Sequence, residues 1–314
     1  MVHQQRAKKL EGINITELLN SIFNHSVTLV NMGNNELERN RVYLIKEYNY
    51  ILKIYGDNSR WRNEIKFISK LNKCSFRVPE VITFGMFEDV GWVIIEKLQG
   101  DLLIDKYNES SYLDKEKMWY NVGDKLREFH EKNKLKEDYI YVTKEKQIKK
   151  MKYEEYVSKK IEKFKYAIRN NNEINHYDTY EKCFSLIDII FKKNIIRNNE
   201  ELTICHNDFN IRNILFNEKD GQFSLIDFET AFIGEKESDF ALILIDNYGN
   251  SNKKAFFKGY YKNDNLYEKY EEKINLYLLI KCIEICSWAY TRANDYYNKA
   301  FDTIKEIVKN RGER

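Results

Sequence analysis

Ile204-Cys205-His206-Asn207-Asp208-Phe209-Asn210-Ile211-Arg212-Asn213-Ile214-Leu215-Phe216 is the stretch on which the reading of this chain turns. An apolar run, LTIC (202–205), leads into a polar loop, and a second apolar run leads out. The loop presents one carboxylate, Asp208, and, five residues on, one amide, Asn213. A second carboxylate, Asp227, lies near the end of FSLIDF (223–228), a strand-like run beyond the turn signal Asp220-Gly221. Phosphoryl transfer asks for such a set. It needs a carboxylate to orient an attacking hydroxyl and accept its proton, and hard oxygen donors for magnesium beside the phosphates. Asp208 suits the first task, Asn213 and Asp227 the second. Asp and Asn are also common turn residues, so the weight rests on their order and spacing across two elements.

Working outward, the first third of the chain reads as strands: SVTLVNMG (26–33), RVYLIKEY (41–48) and YILKIYG (50–56), with apolar alternation and β-branched or aromatic content. Ile65, Ile68 and Leu71 mark a helix over about 60–73. After Pro79, VITFGMFED and GWVIIEKL predict two more strands joined near Asp89–Gly91. Beyond Gly100 the character becomes helical: Leu113 to His130, the charged stretch 146–194, and everything after Asp239, including Glu268 to Tyr290. The fold class expected is α+β and bilobal, with a small antiparallel-sheet lobe over 1–98, a larger helical lobe over 99–314, and a cleft between them for a nucleotide.

Composition narrows the alternatives. With 52 Lys plus Arg against 49 Asp plus Glu, the net charge of +3 is too small to imply a nucleic-acid or membrane partner. The most membrane-like run, LYLLIKCIEICSWAY, is broken by Lys281 and Glu284 and too short to span a bilayer comfortably. The first residues lack the apolar core of a secretory signal, so a cytoplasmic location is expected. Five scattered cysteines argue against a disulfide framework. Cys282 and Cys286 share a helix face, but no further ligand accompanies them, so buried thiols are expected rather than a metal site.

His206-x-Asp208-x4-Asn213 resembles the catalytic loop of the aminoglycoside phosphotransferases and related small-molecule kinases, which share the protein-kinase fold. Ile226-Asp227-Phe228-Glu229 resembles the family's metal-binding segment, and Gly234 through Asp239-Phe240-Ala241 its acidic turn. The resemblance implies Asp208 as catalytic carboxylate and His206 as an ordering residue rather than a base. It implies ATP or GTP as donor, with Mg2+ on Asn213 and Asp227. Lys53 resembles the phosphate-binding lysine and Glu64 its counter-charge, while Arg62 and Lys66 read as solvated. Met32-Gly33-Asn34-Asn35 resembles the nucleotide-positioning loop, through the amides of Asn34 and Asn35, though a plain hairpin turn fits equally. WVIIEKLQG resembles the hinge, with the backbones of Glu96 and Leu98 on adenine, the Glu96 side chain turned away, and Gly100 free to turn.

The acceptor is less legible. A cationic aminoglycoside asks for carboxylates, and Glu229, Asp239 and Glu284, with Trp288, are the candidate substrate residues. Glu284 interrupts an apolar helix and needs a cation, either a substrate or an internal partner such as Arg292. A choline or ethanolamine kinase is the sharpest alternative. It shares Ile-Asp-Phe-Glu and would use aromatic faces such as Trp119 and Trp288. Lys53, Asp208, Asn213 and Asp227 are all present, against a pseudokinase, and no proline follows Pro79 to form a protein-kinase activation-segment anchor. A small hydroxyl-bearing substrate and a monomer or weak dimer are expected.

Overall fold

The computed structural model describes residues 10, 12–33, 40–71, 76–136, 139–144, 147–193, 196, 201–246, 249–263 and 266–312. Asn34 and Asn35 lie outside them. The first elements in chain order are α1 (Ile15–Ile22), β1 (Leu29–Asn31), β2 (Asn40–Ile45), β3 (Tyr50–Tyr55), α2 (Asn58–Ile68), β4 (Phe76–Arg77), β5 (Val81–Phe87), β6 (Val90–Glu96), β7 (Asp101–Leu102) and α3 (Leu103–Glu109). Then come α4 (Tyr112–Lys132), β8 (Lys134–Leu135), β9 (Tyr139–Lys144), β10 (Gln147–Lys152), α5 (Tyr153–Arg169), α6 (Tyr177–Lys192), β11 (Leu202–Cys205), β12 (Ile214–Asn217), β13 (Gln222–Leu225) and β14 (Phe232–Gly234). Four helices end the chain: α7 (Ala241–Asp246), α8 (Asn250–Tyr261), α9 (Leu266–Ala289) and α10 (Asn294–Gly312).

The chain divides into two compact units. The first holds Met1–Glu109 together with Ile211–Phe232, and the second holds Ser110–Asn210 together with Ile233–Arg314. They differ from the contiguous lobes 1–98 and 99–314. The reason is strand pairing: β12 pairs antiparallel with β7, and β13 pairs antiparallel with β12 and parallel with β4. The hairpin that follows the Asp208 loop is thereby stitched to strands of the first unit. Gly100 precedes β7 at φ +117, and a Cβ there would lie 2.7 Å from the Phe216 carbonyl, so both backbone angle and close approach select glycine.

The first unit is built on an antiparallel sheet of order β1-β2-β3-β6-β5. Period-2 alternation assigns its faces. Leu52 and Ile54 of β3, with Ile94 and Trp92 of β6, bury one face against Leu18 of α1. Tyr55 of β3 and Val93 and Ile95 of β6 bury the other against Trp61 of α2. Lys53 shares parity with Tyr55, so the strand delivers its ammonium to the α2 side. Helix α2 starts where the Asp57 side chain accepts from the Ser59 N–H at 2.9 Å, and it buries Trp61, Glu64 and Ile68 at helical spacing. It is shorter than the 60–73 predicted, ending at Ile68. Arg62 and Lys66 are exposed, as expected.

The second unit is mostly helical. Helices α4 and α8 meet backbone to backbone: a Cβ on Gly123 would lie 2.1 Å from the Phe256 carbonyl oxygen, and one on Gly259 2.0 Å from that of Tyr120. Trp119 of α4 is fully buried, its ring edge-on to Phe256 at 84°, so it belongs to the core and not to a choline cage. Helix α9 buries residues around most of its circumference, among them Ile274, Leu279, Ile280 and Ile283. That explains the membrane-like composition of 276–290; among the described residues no helix is long and apolar enough to cross a membrane. Cys282 and Cys286 are buried thiols, as expected. The stretch 146–194, read as helical throughout, opens instead with strand β10, paired to β9 from Gln147↔Lys144 to Lys152↔Tyr139. Its charged sequence has a helix-like pattern; only the cross-strand partner makes it a strand.

Candidate active site

In the first unit the Lys53 ammonium sits between two carboxylates. It donates to Glu64 Oε2 at 2.6 Å and to Asp227 Oδ1 at 2.9 Å. Glu64 is fully buried and also accepts from the Tyr55 hydroxyl. Burial by itself would depress the lysine, but Asp227 and then Glu64 outweigh it and hold the ammonium charged well above its ordinary range. The pair that the sequence offered is therefore formed, and formed in the interior, where a lone charge would be costly.

Asp227 follows β13 with φ +70, a left-handed conformation that a non-glycine residue adopts only when its surroundings impose it. The Ile226 N–H donates to the Asn213 carbonyl at 3.0 Å, which closes the mouth of the β12–β13 hairpin. The register thus sets Asn213 opposite Ile226, the residue before Asp227. One amide and one carboxylate, both oxygen donors, form a set of the kind Mg2+ takes. A cluster of Glu64, Asp227 and Glu229 carboxylate oxygens within 4.8 Å of one another adds negative charge there.

Glu229 has a different place from the substrate contact expected. It is buried, accepts from Asn40 Nδ2 and pairs with Arg60 of α2. Burial, then Asp227, push its carboxyl up to about 7, with Lys53 and Arg60 opposing. Asn63 Nδ2 donates to the carbonyls of Glu229 and Ala231 at 3.0 and 2.6 Å. Arg60 and Asn63, on one side of α2, therefore hold the segment after Asp227. Sequence reading missed Arg60, Asn63 and Asn40, whose partners are more than 160 residues away.

In the same unit Glu96 ends β6 with its N–H on the Glu80 carbonyl at 2.9 Å. Its side chain pairs with Arg77. Leu98 is buried just beyond.

In the second unit the loop after β11 is organised by Asp239. This carboxylate is fully buried and accepts the His206 N–H at 2.8 Å, the Asn207 N–H at 2.6 Å and His130 Nε2 at 3.0 Å. Burial would raise it, but His130, His206 and the Asn207 amide hold it below the usual carboxylate range. It is buried and tied to the loop backbone. Asn207 adopts φ +65. Asp208 is half-buried, and Asn210 Nδ2 donates to its carbonyl at 2.9 Å and to Oδ1 at 3.3 Å. His206 is buried, consistent with an ordering role.

Glu284 finds internal cations other than Arg292. Lys160 of α5 and Lys281, one turn away on α9, each lie 3.2 Å from its Oε2. Burial would raise this carboxyl, but Lys160 and then Lys281 hold it down at about 2. Trp288 stands half-buried one turn further along α9. Glu235, another acid of the turn, pairs with Lys273 at 3.1 Å and accepts from the Tyr277 hydroxyl at 2.5 Å.

The sequence matches the phosphotransferase enzyme family over residues 34–272. The chain belongs to that family. It is a phosphotransferase, a small-molecule kinase, with an α+β protein-kinase-like fold. Among solved structures it is similar to aminoglycoside phosphotransferase APH(4)-Ia, with a TM-score of 0.71 and 12% identity over 94% of this chain and 97% of that one. A thermostable mutant of the same enzyme, in a ternary complex with AMP-PNP and hygromycin B, gives a TM-score of 0.72 at 15% identity over 95% and 98%. The GDP and kanamycin complex of APH(2")-IIia gives 0.65 at 14% over 94% and 98%. At such identities the likeness is one of fold. No curated protein matches the sequence.

Proposed function

We propose that this phosphotransferase moves the γ-phosphoryl group of ATP or GTP to a hydroxyl of a small molecule of the aminoglycoside class. The observation that carries the proposal is the Lys53 ammonium fixed by Glu64 at 2.6 Å and Asp227 at 2.9 Å. A cation so braced is presented for phosphate oxygens, and its counter-charge carries the adjoining metal segment. Lys53 would hold the donor's phosphates, and the backbones of Glu96 and Leu98 its base. Asn213 and Asp227 would hold Mg2+, which when bound neutralises charge developing on the phosphoryl oxygens. Asp208 accepts the proton of the acceptor hydroxyl. The acceptor oxygen bonds to the γ-phosphorus, the bond to the bridging oxygen breaks, and the nucleoside diphosphate leaves. The aminoglycoside class is supported by what the structural neighbours bind, hygromycin B and kanamycin.

One observation favours a second reading. Glu229, Asp239 and Glu284, the carboxylates offered for a cationic acceptor, are each engaged by internal groups: Arg60, His130, and Lys160 with Lys281. An acceptor with few ammonium groups, such as a sugar or other hydroxyl metabolite, would suit such a protein. Choline loses Trp119 as a cage wall. A nucleotide-turnover screen over aminoglycosides, choline, ethanolamine and small sugars separates these readings, and turnover confined to a sugar would displace the aminoglycoside class. The catalytic assignment is tested by Asp208→Ala. Turnover should fall at least roughly 1,000-fold with nucleotide binding kept; retained turnover in the purified variant would sink it.

A further inference from the structure

We propose that Lys281 is a positioning residue for the Asp208 carboxylate, acting through Asn207 and held in place by Glu284 and Lys160. The inference rests on the reading of Asp208 given above. Lys281 sits in the middle of α9, flanked by the buried Ile280, Cys282 and Ile283, and is itself only 9% exposed. A cation in such a stretch is costly unless its donors are used. Two of them are used on one residue: Nζ donates to the Asn207 carbonyl at 3.1 Å and to the Asn207 side-chain oxygen at 2.9 Å.

The geometry explains why this matters. Asn207 is the residue before Asp208, and its carbonyl belongs to the peptide plane whose nitrogen is that of Asp208. Because the peptide unit is planar, fixing that carbonyl fixes the direction in which the Asp208 backbone starts. The plane on the other side of Asn207 is fixed by its N–H on Asp239 Oδ1 at 2.6 Å. Between the two lies a non-glycine residue at φ +65, a conformation that costs on the order of 1 kcal/mol and must be imposed. Asp239 holds the loop from the amide side and Lys281 from the carbonyl side. Asn210 then orients the Asp208 side chain.

The lysine in turn needs a fixed address. Glu284, one turn along α9, is 3.2 Å from Lys281 Nζ, and Lys160 of α5 is 3.2 Å from the same oxygen. The row Lys160–Glu284–Lys281 ties α5 to α9 and ends on the loop. A buried pair that merely joined two helices would not require two donations to a turn residue next to the catalytic carboxylate.

The test uses the full chain and basal hydrolysis of magnesium-ATP or magnesium-GTP, whichever the protein turns over. Lys281→Met keeps the side chain's length and apolar stem. It should lower kcat roughly 10- to 100-fold, as small misplacements of a catalytic group do, and leave nucleotide KM within about twofold. Lys281→Arg, which still donates, should recover part of the loss. Asn207→Ala keeps the buried ion pair and removes the side-chain half of the contact, a second reading if Lys281→Met does not fold; its kcat should fall roughly 10-fold with KM unchanged. Wild-type kcat in a folded Lys281→Met or, failing that, in Asn207→Ala overturns the inference while Asp208→Ala remains inactive. Activity in Asp208→Ala overturns instead the reading on which it rests.

Discussion

Each of the two units carries a charged centre buried beside a left-handed residue, with the signs exchanged. In the first unit the centre is a cation, Lys53, and carboxylates surround it: Glu64 beneath and Asp227, at φ +70, beside it. In the second the centre is a carboxylate, Asp239, and donors surround it: His130 and the amides of His206 and Asn207, the last at φ +65. Each centre has a tyrosine in attendance, Tyr55 donating to Glu64 and Tyr260 within 2.8 Å of His130 Nδ1. The difference lies in what is held. Lys53 bonds side chains, so its unit presents a charge. Asp239 bonds the backbone of its loop as well as His130, so its unit presents a shape. A cation is suited to gripping phosphate, and an ordered loop to aiming Asp208.

That contrast makes distinct predictions. Asp239→Ala strands buried amides and a buried histidine, so it should cost about 3–5 kcal/mol of stability and remove activity with it. Chemical denaturation reads the first and turnover the second; a stable variant with an intact loop would break the comparison. Lys53→Met leaves Glu64 buried without its cation and should lose some stability, but its larger effect should be on nucleotide kcat/KM, lower by roughly 100-fold or more, the loss expected when a donor to developing charge is removed. If stability fell more than activity, Lys53 would be a structural cation after all.

Acid sharpens the second unit's side of the contrast. The Glu284 carboxyl lies at about 2 against an ordinary 4.5, because Lys160 and Lys281 outweigh its burial. A depressed carboxylate contributes stability that is complete above pH 4.5 and is lost as pH falls towards 2. The gap is equivalent to at most about 3 kcal/mol. Glu284→Gln should therefore be destabilised at neutral pH and show a flatter loss between pH 4.5 and 2 than the wild type. Parallel acid-melting curves would count against the pair. The smallest effect should come from the two tyrosines: Tyr55→Phe and Tyr260→Phe each remove one hydroxyl, worth about 1 kcal/mol in thermal stability. A tenfold loss of activity in either would give that hydroxyl a role beyond support.

Much of the candidate site was legible because its residues stand in short, ordered strings. Asp208 and Asn213 share one loop, Asp227 ends the next strand run, and the resemblance of YILKIYG and the helix after it to the family's lysine and glutamate offers Lys53 and Glu64. The residues that sequence reading missed share a different property. Arg60, Asn63 and Asn40 each hold the Asp227 segment across more than 160 residues, and His130 reaches Asp239 across 109. Lys281 did leave a signal, a charge in an apolar run, but the run alone speaks only against a membrane span. Its partner Asn207 is 74 residues away.

By itself, then, the sequence determined most of the order of strands and helices, the α+β class and the chemistry of phosphoryl transfer, because periodicity and motif spacing are local properties of the chain. Only the tertiary structure decided which charges are spent internally. Whether a glutamate such as Glu229 or Glu284 faces a ligand or an arginine or lysine depends on what packs against it, and a buried charge is settled by its nearest counter-charge, however far away along the chain that partner lies.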